Sequence, residues 1–458
     1  MRKELRRQQQ RPPLKVQYQY QRQKQKQRNA TTTASPEIDG NNTTTATNCP
    51  SYGCPIYPPE LTIPLTNQTI RKALESSGRL LPSSSSLSKA GQQQPRSDGF
   101  RIGFASGSFA TLSQQGKSHA VNQDRGVFVS PFLPDLLSKK SFLACIFDGH
   151  GTLGHEVAQE VVERFPLLLT EKLTLALGDD FQNTAQNNNV GRNNKGSHNQ
   201  TILVRPEDYD STDRAIRKAL NETFVEVNEK GTPYTFYRGG CTASVTLRWG
   251  SKLYIANTGD SETIVVSASP PPSRPQQNPG KQRQQQNNFM VANVEYNTRR
   301  DKANQPAERE RIEKLGGKIH INDRGFDPRV IVHSEVLNDT IALAMSRSIG
   351  DWEWKAVGVT AEPTIDLLDL SRLPVSNRES TTFLLAASDG FWDLRQKHFY
   401  ATQLAESFRK GNQNARDENN GNAHFRPLYH IYDMMQRITP KAQTGYRDDI
   451  TVTIASLE

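Results

Sequence analysis

Cysteine is scarce in this 458-residue sequence: only Cys49, Cys54, Cys145 and Cys241 occur, too few and too scattered for a disulfide framework. A reducing compartment is therefore expected. Cys49 and Cys54, in CPSYGC, have four residues between them and no second Cys/His pair nearby, which argues against zinc. Long apolar runs are missing too. Nothing approaches the ~18 residues a membrane span needs, and the N-terminal stretch has no apolar signal core. The expectation is a soluble protein of the cytoplasm, the nucleus or both, not secreted, with a transit peptide disfavoured. Apolar residues make up 34% of the chain, less than an evenly folded protein carries, so part of it lies outside any core.

The polar excess is concentrated. Residues 1–28 alternate Gln with Lys and Arg, and 29–99 continue with TTTA, NNTTT, SSSS and GQQQP, compositions that cannot bury enough apolar surface to offset ordering entropy. A disordered basic tail over 1–99 and a folded domain over 100–458 are expected. Met1 to Arg28 holds ten basic residues and one acid, a charge of +9, which equals the net charge of the whole chain. The remainder is formally neutral, so the basic balance describes a tail and not a charged binding face. Within the domain, 181–205 and 270–288 read as low-complexity surface insertions.

Between these stretches the periodicity is clear. Phe142–Phe147 (FLACIF) is a continuous apolar run ending in DGHG, the pattern of a buried strand that delivers its end to a loop. Ala215, Ile216, Ala219, Leu220, Phe224 and Val227 recur at helical spacing. Short strand-like runs follow at 242–247, 253–256, 263–266, 383–387 and 450–455. Strands at hairpin-like spacing, mixed with helices, argue for a layered α+β fold and against strict βαβ alternation.

Aspartates recur at the ends of these strands: Asp148 in DGHG, Asp260 in TGDS, Asp389 in SDGFWD, and Asp448 just before ITVTIA. Any one of them alone would be an ordinary turn residue, and Asp124 in VNQD a cap or loop residue. Together, with glycines that let backbone come close, they are what hard divalent cations need. Two such ions about 3.5 to 4 Å apart acidify water and hold a phosphate for in-line attack.

Seven ordered segments, GKSHAVNQD, FDGHG, GGCTASVTL, IANTGDS, LAMSRSIGD, AASDGFWD and RDDITV, resemble the signature motifs of the type 2C (PPM) family of metal-dependent serine/threonine protein phosphatases. The resemblance covers roughly 103–457. It implies a four-layer α-β-β-α sandwich with two central antiparallel sheets, phosphoprotein substrates, a monomeric catalytic domain, and two Mg²⁺ or Mn²⁺ ions with a weaker third. Motif by motif, it makes Asp148 the ligand bridging both ions and the Gly149 carbonyl a ligand of one. Asp389 and Asp448 complete the other, and Asp124 acts mainly through metal-bound water. His150 matches the general acid that protonates the leaving serine or threonine oxygen. Asp260 and Asp393 match the weaker third site, while Arg347 and Trp392 read as scaffold, a buried salt-bridging arginine and a core aromatic.

The sequence departs from the pattern in three places. Gln123 stands where Glu is common, and Asp448-Asp449 replaces the commoner Asp-Asn. The basic residue that grips phosphate usually lies five positions before the first Asp; here that position is His119, with Lys117 two earlier, and a histidine offers no bidentate fork. A cysteine-nucleophile phosphatase is excluded, because Cys241 has six residues before Arg248 instead of five and Cys145 has no matching Arg. The motifs GDxHG, GDxxDRG and GNHE of the other two-metal phosphatases are also missing. The alternative of a different class is a pseudophosphatase, a phosphoprotein-binding module without turnover, supported by His119 and Gln123. The basic tail, with Tyr18 and Tyr20, allows a nucleic-acid or acidic-membrane binder, but no folded nucleic-acid motif accompanies it.

Overall fold

Why the apolar runs become strands buried on both faces is plain from what covers them. The computed structural model describes residues 64–65, 100–105, 109–116, 119–133, 140–177, 201–270, 290–322, 327–334, 338–373, 380–417, 427, 430–431, 434–435 and 448–457. The rest of the expected tail, Lys117, and most of both expected insertions lie outside these residues. All the described elements belong to one unit, Pro55–Glu458.

One sheet has seven strands in the order Pro64–Leu65, Phe100–Ala105, Phe109–Gln114, Ile450–Ser456, Thr381–Ala387, Glu262–Ser269 and Val291–Asn297; the other has five, in the order Thr364–Asp369, Lys252–Thr258, Ala243–Trp249, Phe142–Phe147 and Arg125–Val129. All their pairings are antiparallel. Strand Phe142–Phe147 shows how the layers arise. Its Phe142 and Ala144 join Phe109, Phe128, Val265 and Leu384 between the sheets, while Leu143, Cys145 and Phe147 pack outward against helices α1 (Gly154–Leu177) and α2 (Ser211–Glu229). With period-2 side chains, a strand covered on both faces must be apolar throughout, and this one is.

On that outer face Phe165 of α1 meets Phe224 of α2 edge-on, ring centres 5.0 Å apart, both rings fully buried. Each contributes about 1.5–3 kcal/mol through burial. The start of α2 is fixed by a capping box, Asp210 accepting from Asp213 N and Asp213 from Asp210 N. Asp213 also accepts from Tyr254 OH and Lys252 Nζ, both at 2.6 Å, which ties the helix end to the five-stranded sheet.

The seven-stranded sheet is covered by α4 (Lys397–Asp417), whose Tyr400, Leu404 and Phe408 pack on Phe383, Leu385 and Ile454. Between these layers in sequence lies α3 (Pro306–Lys314), whose fully buried Glu308 takes Arg347 Nη2 at 2.7 Å and Arg311 Nη2 at 2.7 Å. Arg347 is thus the scaffold arginine expected, and Trp392 is buried, its indole N–H donating to the Glu262 and Ala387 carbonyls. The fold is the expected α+β sandwich of four layers. One boundary differs: 201–205, read as the end of an insertion, carries buried Ile202 and Val204, and Val204 N donates to Leu367 O at 2.8 Å. Their apolar side chains cover the edge of the five-stranded sheet. No helix among the described residues is long and apolar enough to cross a membrane.

Candidate active site

Both sheets end in carboxylates at one mouth of the sandwich. From the five-stranded sheet come Asp124, just ahead of Arg125–Val129, and Asp148, just after Phe142–Phe147. From the seven-stranded sheet come Asp389, opening a single helical turn after Thr381–Ala387, and Asp448, ahead of Ile450–Ser456. Asp260 sits in the turn by which Lys252–Thr258 crosses to Glu262–Ser269. Local bonds hold each in place. Thr242 N donates to Asp148 O at 2.9 Å, and Asp124 accepts from Ser388 Oγ at 2.7 Å. Gly149 is pressed so closely between Gly154 O and Gln123 O that a Cβ there would lie 2.5 and 2.6 Å from them.

The electrostatics show that these groups face one another. Burial, then the charges of Asp124, Asp389, Asp260 and Asp448, push the Asp148 carboxyl well above its ordinary range. Asp389 is raised to about 7 by burial and by Asp260, Asp393 and Asp448, partly offset by a hydrogen bond to Asp148. Asp124 is raised to about 8 by burial, with Asp449 adding to it and Ser388 and Thr451 opposing it. Like-charged carboxylates held this close must take up protons or a cation. The donors are all oxygen, and a buried oxygen, Asp260 Oδ1, has no hydrogen-bond partner among the described residues. That chemistry fits hard divalent ions on Asp124, Asp148, Asp389 and Asp448.

His150 lies on the short strand Gly149–Gly151, which pairs with Gly239–Cys241. Its Nε2 is 2.7 Å from Asp351 Oδ2. Asp351 reaches it because Gly240 has no side chain: a Cβ at 240 would lie 2.2 Å from that same carboxylate oxygen. Burial alone would lower the His150 pKa, but the charge and hydrogen bond of Asp351 outweigh it and raise the value. Asp351 holds a left-handed backbone conformation, φ 50°, and is itself buried. Behind it Lys355, half-buried, donates to Ser348 O at 2.6 Å; desolvation lowers its pKa to about 8 against the pull of Asp351.

Two of the sequence-derived assignments take a different shape here. His119 does not stand free for phosphate: its Nδ1 is 3.4 Å from Asp449 Oδ2 and 3.6 Å from Asp448 Oδ1, and the three form a compact His-Asp-Asp cluster. Asp260 and Asp393 do not form an open pair. Lys302 Nζ is 2.6 Å from Asp260 Oδ2, and Arg300 Nη1 is 2.7 Å from Asp393 Oδ1. Sequence reasoning missed the roles of Asp351 and Asp449. Asp449, buried, accepts from Gly116 N at 2.6 Å and Gln123 N at 2.8 Å, so it clamps the segment leading to Asp124. The signal for Asp351 was present in SRSIGD, whose arginine alone was interpreted.

Residues 182–419, just over half of the chain, match the family model described as Protein phosphatase 2C. That span holds Asp260, Asp389 and Asp393; Asp124, Asp148, His150 and Asp448 flank it. Among curated relatives, the chain is 28% identical over 291 residues to a probable protein phosphatase 2C 1 of Arabidopsis thaliana, covering 62% of this chain and 54% of the relative. It is 28% identical over 306 residues to a probable protein phosphatase 2C 48 of Oryza sativa subsp. japonica, covering 65% and 73%. The chain thus spans about half the length of the first of these relatives. A crystal structure of a serine-threonine phosphatase 2C from Toxoplasma gondii aligns with a TM-score of 0.49 and 16% identity, over 76% of this chain and 94% of the other.

Proposed function

The chain belongs to the protein phosphatase 2C family, and from that premise we propose that it hydrolyses phosphoserine and phosphothreonine in proteins, with two Mg²⁺ or Mn²⁺ ions and no phosphoenzyme. The observation that carries the reading is the position of Asp148, half-buried and facing four other carboxylates drawn from both sheets. Asp148 would hold both ions, the Gly149 carbonyl one, and Asp389 and Asp448 the other, with Asp124 adding charge beside them. When bound, the ions supply Lewis acidity toward the phosphoryl oxygens and acidify water.

The chain's own groups do the rest. Asp351 accepts from His150 Nε2 and fixes the ring beside Asp148, and His150 would give a proton to the departing serine or threonine oxygen. The charge and hydrogen bond of Asp351 raise the His150 pKa, which favours the protonated ring. Lys117, seven positions before Asp124, would steady the phosphate, and His119 would join it only when released from Asp448 and Asp449. The test is turnover of a phosphothreonine peptide by the full chain with Mn²⁺, then with EDTA. Release that stops with EDTA is expected; a folded, metal-loaded sample that releases nothing would instead be a phosphoprotein-binding module.

His150→Ala should slow the phosphopeptide by about a hundredfold or more. An activated aryl phosphate, whose leaving group hardly needs a proton, should lose far less. Equal losses on the two substrates would take the acid role away from His150.

A further inference from the structure

Both carboxylates that the family resemblance gives to a third, weaker ion already carry cations of this chain. Lys302 Nζ lies 2.6 Å from Asp260 Oδ2, and Arg300 Nη1 lies 2.7 Å from Asp393 Oδ1. Lys302 is no wandering surface side chain. Its neighbour Asp301 is fully buried, donates its N–H to Gly259 O at 2.9 Å and accepts from Gly259 N at 3.0 Å. The residues just before Asp260 and just before Lys302 are therefore laced together, and Ser346 N, donating to Asp301 O at 2.8 Å, fixes the segment from the other side. Arg300 is held as firmly. Its Nε donates to Glu262 Oε1 at 2.7 Å, and Lys397 Nζ takes the other oxygen of Glu262 at 2.6 Å.

A hard divalent ion competes for carboxylate oxygens with any cation already held on them. To settle on both Asp260 and Asp393 it would have to displace an ammonium and a guanidinium. The ammonium lies against a carboxylate only 2% exposed, where water and salt screen the pair little. Asp260 Oδ1 has no hydrogen-bond partner among the described residues, but its companion oxygen is held by Lys302.

We infer that Lys302 stands in for the third ion: this phosphatase works with two metals, and a tethered ammonium supplies on Asp260 one of the two positive charges a third would bring. The inference rests on the metal-dependent reading above. It makes the charge beside Asp389 permanent, independent of the free metal concentration.

The test is equilibrium dialysis of the full chain against millimolar Mn²⁺, counting ions bound per folded chain. Two are expected in the wild type, two in Lys302→Arg, which keeps the cation, and three in the double variant Arg300→Met with Lys302→Met, which keeps both stems and removes both charges. Arg300→Gln with Lys302→Gln repeats the count should the first pair fail to fold. Three ions in the wild type, or two in the neutral variants, overturn the inference and leave the phosphatase reading standing. None in a folded wild type overturns that reading as well.

Discussion

Asp148→Asn is expected to lower phosphate release from a phosphothreonine peptide, at saturating Mn²⁺, by on the order of a thousandfold or more. The loss should occur in a protein that still folds. The backbone bonds that hold residue 148, to Thr242 N and Thr242 Oγ1, do not involve its carboxylate. An amide of the same shape removes one negative charge from a group of close-set acids that repel one another. The metal-free variant should therefore melt higher than the metal-free wild type, while its Mn²⁺ affinity falls. Steady-state kinetics, calorimetric titration with Mn²⁺ and thermal melting in EDTA read the three effects separately. Retention of even a tenth of the activity would move the centre of the chemistry away from Asp148.

Metal removal should also expose a pH dependence of stability that the loaded protein hides. A carboxyl whose pKa is higher in the folded than in the unfolded chain favours folding while it is protonated. The contribution is complete below the ordinary value of 3.8 and is lost as the pH climbs through about 7 for Asp389 and about 8 for Asp124. His150, also raised, adds in the same direction. In EDTA the melting temperature should fall steadily between about pH 5.5 and pH 8.5. With Mn²⁺ present the slope should flatten or reverse, since ions bind the deprotonated ligands more tightly as the pH rises. At a hundred times its dissociation constant an ion adds about 2.7 kcal/mol. Identical melting curves with and without metal at the upper pH would remove the ions from this cluster.

The parts of this site that could be read from sequence are those in which chemistry and local pattern coincide. Asp148, Asp389 and Asp448 each adjoin an apolar strand, so strand periodicity itself points to them. The partnerships are not legible in that way. Asp351 meets His150 across 201 positions, and Asp449 meets Gly116 across 333. In sequence each is one more aspartate beside a turn, and only the packing of distant strands gives it a partner. Lys302 is closer, 42 positions from Asp260, yet its placement depends on the buried Asp301, which composition cannot distinguish from a solvated acid. Helix α1 goes unnamed in the sequence reading for a different reason. Pro166 lies in its interior, and a proline, lacking a donor, reads as a stop. Residues 201–205 were hidden by the polar stretch before them, although Ile202 and Val204 alternate as a buried edge should.

The strand Ile450–Ser456 follows every other strand of the sandwich in sequence, yet it lies inside the seven-stranded sheet between Phe109–Gln114 and Thr381–Ala387. Its pairing with Phe109–Gln114 closes a loop of more than three hundred residues, seen in the hydroxyl contact of Thr111 with Thr453, 342 positions apart. On the ribosome that sheet is synthesised with its middle missing. Contacts of such high order form late, and until they do the edges of Phe109–Gln114 and Thr381–Ala387 are unpaired and prone to association. Asp448, a ligand in the proposed centre, arrives with the same strand. On the proposed reading, a nascent chain therefore could not complete its metal centre before its own sheet is closed.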